Sequence, residues 1–403
     1  LNRGYTPAGG EAWNCIRALD YLQSREEVDG ERLGVTGRSG GGAYSWWIAA
    51  LDQRIKVAVP VAGITDLRNH VVDGTVEGHC DCMFMVNTYQ WDYPMVAALM
   101  APRPLLISNT DNDRIFPLDG VYRTFVKTRQ VYELLGAADK VSLHVTSGPH
   151  KDTQELRVHA FRWFNHFLKG DDDLIRVPAE KFFKPQELQV FKEALPQDQQ
   201  NTKISHSFVP VADLLDVADT SGAVDLLVED VQDTLLAKAF RAWPENPVDL
   251  NVRKIADAYA EDLVMTSYDF ISQAGIKLRL YTVHRKDLVK ASKVLCQVQS
   301  DEDWNDFLGF YQDAFGDRDV LSDEVFPTET PEGLPDFEAF RQRALKNDAV
   351  WAYVAPRGIG RTVWDQSPRK QVQHRRRFYL LGESLGGMQI WDVRRAIQTL
   401  KML

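Results

Sequence analysis

Five residues, Gly37-Arg38-Ser39-Gly40-Gly41, constrain this chain more than any other feature. They follow a short β-prone run, Arg32-Leu33-Gly34-Val35-Thr36, and lead into an apolar helical stretch from Ala43 to Leu51. A G-x-S-x-G turn in that setting holds its serine on a sharp corner between strand and helix. The glycines are steric necessities, because a side chain beside the serine would strike one element or the other. The helix behind the corner points its free N–H groups and its positive end toward the serine.

The pattern around the corner is that of an α/β unit. Ala12, Ile16, Leu19 and Leu22 fall at helical spacing. Ile55 to Ala62 is a β-branched apolar run, suited to a strand buried on both faces. Pro104 to Thr110 and Val141 to Thr146 read as further strands, with a helix around Phe125 to Leu135 between them. A last helix runs from about Thr153 to Leu168, with Leu156, Ala160, Phe164 and Phe167 on one stripe. Strands alternating with helices imply a mainly parallel sheet covered on both faces. Residues 171–205 change character: Asp171-Asp172-Asp173, several prolines and the run Gln197 to Gln200 read as a linker or surface tail. From 206 to 403 structure restarts, with a hairpin of Val264 to Ile271 and Ile276 to Val283 and further strands at Val294 to Val298 and Ala349 to Val354. Three segments are therefore expected: 1–170, 171–205 and 206–403.

Composition removes several classes. The 403 residues carry 57 acidic against 47 basic side chains, a net charge of −10, which argues against a nucleic-acid partner. No apolar run approaches the roughly 18 to 20 residues that cross a bilayer, so no membrane role is expected. The four cysteines form no CxxC framework, which excludes a disulfide scaffold or a zinc ribbon.

A serine on such a corner needs an acid and a histidine later in the chain, in that order. Asp111 and Asp113 follow the strand ending at Thr110, and His150 follows the strand ending at Thr146. Both positions lie at C-terminal strand ends, where open parallel sheets place their sites. His150 is the expected general base. His144 lies inside a strand, and His159 and His166 lie on the last helix, so these read as structural. The residue pattern does not separate Asp113 from Asp111, and Asp66 is a more distant candidate. Gly40 N–H is the expected oxyanion donor.

Residues 1–170 resemble the C-terminal half of an α/β-hydrolase domain of the kind shared by acetyl xylan esterase-like enzymes and prolyl-oligopeptidase-type peptidases. The acid of these families commonly stands four residues before a proline, and Asp113 with Pro117 matches that spacing. The resemblance implies a serine hydrolase with Ser39, Asp113 and His150 as its triad and no metal or organic cofactor. It implies a small-molecule or polysaccharide ester as substrate, with acylated carbohydrate as the expected class and a prolyl-oligopeptidase-type serine peptidase as the alternative. Arg38, before the nucleophile, is neither the glutamate common in carboxylesterases nor the histidine common in lipases. It is a candidate to attract an acidic or hydroxyl-rich substrate.

Several features compete for attention. His79-Cys80-Asp81-Cys82 gathers four metal-ligand types, but adjacent residues on one segment cannot close a tetrahedral site, so a pocket wall is expected. Tyr89, Trp91 and Tyr93 follow it, and Trp91 is the candidate to stack on a sugar ring. Gly382-Glu383-Ser384-Leu385-Gly386 repeats the G-x-S-x-G pattern, yet no histidine follows Ser384 and the only later acid is Asp392. Trp13, Arg17, Ala18, Leu19 and Leu22 share their spacing with Trp391, Arg395, Ala396, Ile397 and Leu400, which suggests duplication. On that alignment the nucleophile equivalent to Ser39 falls beyond residue 403, so Ser384 is not expected to be catalytic. Residues 206–403 then resemble the N-terminal half of a second α/β-hydrolase domain, with Pro356 to Gly360 in the place of the oxyanion loop. Arg375-Arg376-Arg377 reads as a solvated or ion-paired face. The second half is expected either to complete the first sheet, with Val294 to Val298 beside Arg32 to Thr36, or to serve as a silent binding or scaffolding copy. Leu1 stands where a methionine is usual, and the order of halves is that of a piece of a longer tandem.

Overall fold

Strand burial alternates between two faces in the first part of the chain, and that alternation places the site. The computed structural model describes residues 6–79, 85–176, 180–207, 221–240, 243–316, 319–329, 331–365 and 367–403. The chain divides into two units: Leu1–Leu227 with Arg376–Gly382, and Val228–Arg375 with Glu383–Leu403.

In the first unit the order is α1 (Pro7–Gln23), β1 (Leu33–Arg38), α2 (Gly40–Leu51), β2 (Ile55–Val61), α3 (Tyr93–Ala98), β3 (Leu105–Thr110), α4 (Leu118–Leu134), β4 (Val141–Thr146) and α5 (Gln154–Phe164). The four strands pair in parallel in the order β1-β2-β3-β4. Ala58, Leu105 and Ile107 face a core built with Trp46, Tyr93 and Tyr132, whereas Val59, Val61 and Leu106 face Leu156 and Ala160 of α5. Successive side chains thus enter opposite cores, which is why the central strands are apolar throughout. Helices α1 and α5 begin where the sequence supplies a side-chain cap. Thr6 Oγ1 accepts from Gly9 N–H ahead of Pro7 in α1, and Thr153 Oγ1 accepts from Leu156 N–H in α5.

The second unit holds β5 (Arg253–Ala260), β6 (Leu263–Gln273), β7 (Ile276–Arg285), β8 (Lys293–Val298) and β9 (Ala349–Val354), and α6 (Ser221–Lys238) leads into it. Its sheet has the order β5-β6-β7-β9-β8, antiparallel except for the β8–β9 pair. Its helices are α7 (Asp301–Phe315), α8 (Phe337–Leu345), α9 (Pro368–Leu380) and α10 (Leu385–Met402). A capping box between Ser300 and Asp303 starts α7, which buries Trp304, Phe307, Leu308, Tyr311 and Phe315 at helical spacing against Tyr281 and Tyr353. The end of α9 counts with the first unit, where Leu380 is fully buried in the core.

The expectation of one completed sheet is not met. β8 pairs with β9, β1 pairs with β2, and the sheets are separate. The outer edges of β1 and β8 are short, and each strand carries a cation, Arg38 and Lys293, a device that discourages edge pairing.

Candidate active site

The corner is built by close backbone approach. Ser39 adopts φ 59° and ψ −119°, a conformation that L-residues avoid and that the surroundings must enforce. Its N–H donates to Val61 O at 2.9 Å, and its carbonyl accepts from Ala43 N–H, so strand and helix both hold it. A Cβ at Gly37 would lie 2.6 Å from the backbone of Gly41. The second tight position is not Gly41, which faces open space, but Gly42, packed against Val61 O and Gly63. Trp46 Nε1 donates to Gly63 O at 2.7 Å and ties α2 to the chain leaving β2. Gly40 is the first residue of α2, where backbone N–H groups have no acceptor within the helix.

The acid and the histidine come from the next two strand ends. Asp113, past β3, has a fully buried carboxylate. Its Oδ1 accepts from the N–H groups of Ile115 at 2.8 Å and Phe116 at 2.9 Å, and its Oδ2 lies 2.7 Å from His150 Nδ1. A carboxylate facing two amides accepts only, so Nδ1 carries the shared proton and Nε2 is left as the basic nitrogen. Asp111 has a different task. Its Oδ1 accepts from Gly148 N–H at 2.9 Å and braces the loop that carries His150. Arg38 is exposed, and its guanidinium donates to His150 O at 3.5 Å, linking the serine corner to the histidine loop.

Behind this pair lies a buried aromatic stack that the sequence pattern did not assign. His79 packs edge-on against His70 and Phe116, at 4.8 and 4.6 Å between ring centres, and Phe116 stacks on His150 at 5.9 Å. Burial pushes the His79 pKa down to about 4, against the weaker upward pull of its hydrogen bond to Ile115 O and of Asp113. Burial also holds His70 well below the usual histidine range, with His79 adding to the effect. Arg376 donates to His79 O at 3.2 Å, and Arg377 pairs with Glu77 at 2.6 Å.

The remaining candidates lie elsewhere. Asp66 is buried in an ion pair with Arg123. His144 and His159 stack on one another at 3.6 Å, and His166 pairs with Asp172. Trp91 is half-exposed beside Tyr89, their rings 5.4 Å apart, and its backbone is clamped by Asn87. Tyr93 is fully buried between Trp46 and His70 and offers no stacking face. Of the run from His79 to Cys82 only His79 lies among the described residues. Ser384 is the N-cap of α10: its backbone is extended, and its Oγ accepts from Gly387 N–H at 3.1 Å. In the Pro356 to Gly360 loop, Arg357 is turned inward onto the buried carboxylate of Asp392.

A parallel sheet with helices packed on both faces makes the first unit α/β-hydrolase-like, and Ser39, Asp113 and His150 follow one another at its strand ends. Residues 7–171 match the model of the prolyl oligopeptidase family. The chain is 32% identical over 157 residues to "Putative hydrolase YtaP" of Bacillus subtilis (strain 168), which covers 39% of this chain and 52% of that protein. The chain thus spans about half the length of the curated relative it matches. Among solved structures, a carbohydrate esterase family 15 glucuronoyl esterase from Caldicellulosiruptor kristjansonii is similar at 24% identity, covering 45% of this chain and 56% of that one, with a TM-score of 0.37. The glucuronoyl esterase catalytic domain from Hypocrea jecorina is similar at 18% identity, covering 48% and 60%, with a TM-score of 0.36.

Proposed function

We propose that the first unit is a serine hydrolase that cleaves carboxylic esters, with acylated carbohydrate as the substrate class. The pairing of buried Asp113 with partly exposed His150, on a loop that Arg38 ties to a serine held at φ 59°, carries the reading. Ser39 Oγ attacks the acyl carbon while His150 Nε2 takes its proton and later returns it to the leaving alcohol. Asp113 fixes the ring through Nδ1 and stabilises the imidazolium. Gly40 N–H, at the head of α2, donates to the oxyanion. Water then repeats the sequence on the acyl-enzyme and releases the acid. Exposed Arg38 and the Tyr89–Trp91 pair are the groups available to hold a hydroxyl-rich or acidic substrate. No step calls for a metal or an organic cofactor.

The match to the prolyl oligopeptidase family favours a second reading, hydrolysis of short peptides after proline by the same groups. Parallel assays with p-nitrophenyl acetate and a proline-containing amide separate the two. Faster ester turnover that disappears in Ser39→Ala supports the esterase, and preferential amide turnover supports the peptidase. Fluorophosphonate labelling that persists in Ser39→Ala would refute both.

A further inference from the structure

We propose that His79 is a positioning residue for the Asp113–His150 pair and acts through one peptide group. The inference rests on the reading of Ser39, Asp113 and His150 given above. His79 Nε2 lies 3.0 Å from Ile115 O. A carbonyl only accepts, so Nε2 carries the hydrogen and donates it. The carbonyl of Ile115 and the N–H of Phe116 belong to the same planar peptide unit. That N–H donates to Asp113 Oδ1 at 2.9 Å, while Oδ2 of the same carboxylate holds His150 Nδ1. The hydrogen bonds therefore run in one direction: His79 into the Ile115–Phe116 peptide, the peptide into Asp113, and His150 into the other carboxylate oxygen. Donation at one end of an amide polarises it and strengthens donation at the other. It also fixes the rotation of the peptide plane about its flanking bonds, and so the direction of the Phe116 N–H.

His79 is itself held on three sides. Arg376 grips its carbonyl, His70 and Phe116 pack on its ring, and the site is buried. Asn109 Nδ2 donates to Phe116 O at 3.0 Å and secures the far side of the same loop. His79 does not meet the reacting atoms. Its part is to keep the acid loop in the one rotation that presents Asp113 to His150.

The test uses His79→Phe, which keeps a flat ring but has no donor, and His79→Gln, which keeps an N–H donor. In H79F kcat for p-nitrophenyl acetate should fall about 10- to 100-fold, the scale of a small misplacement of catalytic groups, with KM within about twofold. H79Q should recover most of that loss. The proton shared by His150 Nδ1 and Asp113 should give a downfield NMR resonance in the resting protein. It should be present in the parent and in H79Q, and lost or broadened in H79F. If H79F is not recovered folded, His79→Asn, too short to reach Ile115 O, supplies the same contrast with H79Q. Parent-like kcat and resonance in H79F overturn the proposal, as do equal losses in H79F and H79Q that follow their thermal stability. The resonance needs no turnover, so a parent protein without Ser39-dependent hydrolysis defeats the proposed function while the positioning role is still read from the NMR contrast.

Discussion

Ser39 and Ser384 occupy the same five-residue pattern, each between glycines and each at the head of a helix, and their backbones differ completely. Ser39 sits at φ 59° with both its N–H and its carbonyl bonded to neighbouring elements, and its side chain makes no capping bond. Ser384 sits at φ −127°, and its Oγ is used to cap α10. The difference is one of surroundings. Gly37, Gly42 and Gly63 let β1, α2 and the end of β2 approach closely enough to force the corner. Around Ser384 the hydroxyl satisfies a helix amide instead, the ordinary use of a serine at that place. A strained serine corner is a property of the packing, and the motif only permits it.

The comparison is broken most directly at the hydroxyls. Ser39→Ala should lower ester turnover on the order of a millionfold, as removal of a nucleophile does elsewhere, and abolish fluorophosphonate labelling. Ser384→Ala should leave both unchanged. Labelling retained by S39A and lost in S384A would reverse the assignment of the two corners.

Two buried carboxylates sharpen it next. Asp113 and Asp392 are both inaccessible, but Asp392 is bound by Arg357 through Nε at 2.8 Å and by the Arg357 amide at 2.9 Å, with Ser272 Oγ as a further donor. All its capacity is spent on structure. Asp113 spends one oxygen on the histidine. Asp113→Asn should reduce kcat about ten-thousandfold with little change in stability, because the amide cannot serve as the ring's anionic partner. Asp111→Asn, which only loosens the His150 loop, should cost roughly tenfold or less. Asp392→Leu strands a buried guanidinium and should destabilise the second unit by about 3–5 kcal/mol, seen in denaturant unfolding, while Ser39 labelling persists.

The buried histidines His70 and His79 give the first unit a pH signature. His79 titrates at about 4 when folded and near 6.5 when unfolded, so between those values the unfolded chain binds more protons. Its stabilising contribution is complete above pH 6.5 and is lost as pH falls toward 4, with a span of about 3 kcal/mol. His70 adds to the loss with the same sign. H79F should flatten part of this dependence in unfolding curves between pH 7 and 4. An unchanged slope would mean that His79 is not held neutral by burial.

Much of the first unit was legible because its cues are local. Alternation, β-branched runs and caps depend on residues a few positions apart, and the strands at 55–61, 105–110 and 141–146 fall where the pattern puts them. The pairing of His150 with Asp113 rather than Asp111 depends on how a loop turns after β3, which the residue pattern leaves open and only the family's acid-to-proline spacing favours. In the sequence His79 stands out only for its cysteine neighbours, because nothing in its own surroundings announces a partner 36 residues away. The failure at β8 has the same origin: a short apolar strand does not specify which neighbour takes its edge. The repeated tryptophan helix shows the limit most plainly. Trp13 of α1 is 56% exposed, whereas Trp391 of α10 is 4% exposed and donates to Ser272 O. One spacing serves two environments.

The smallest effect returns to Ser384. As the N-cap of an 18-residue helix its Oγ satisfies the Gly387 N–H, one of the amides that the first turn leaves without an acceptor. Replacement by alanine should cost about 1 kcal/mol, and replacement by aspartate should keep the cap and add a favourable charge at the helix N-terminus. Unfolding of S384A and S384D against the parent measures both. If Ser384 were instead a second strained corner, its hydroxyl would cap nothing, alanine would cost little because it keeps the Cβ, and glycine, which relieves the strain of a positive φ, would stabilise the second unit. The S384A and S384G changes together therefore separate a cap from a corner without reference to any substrate.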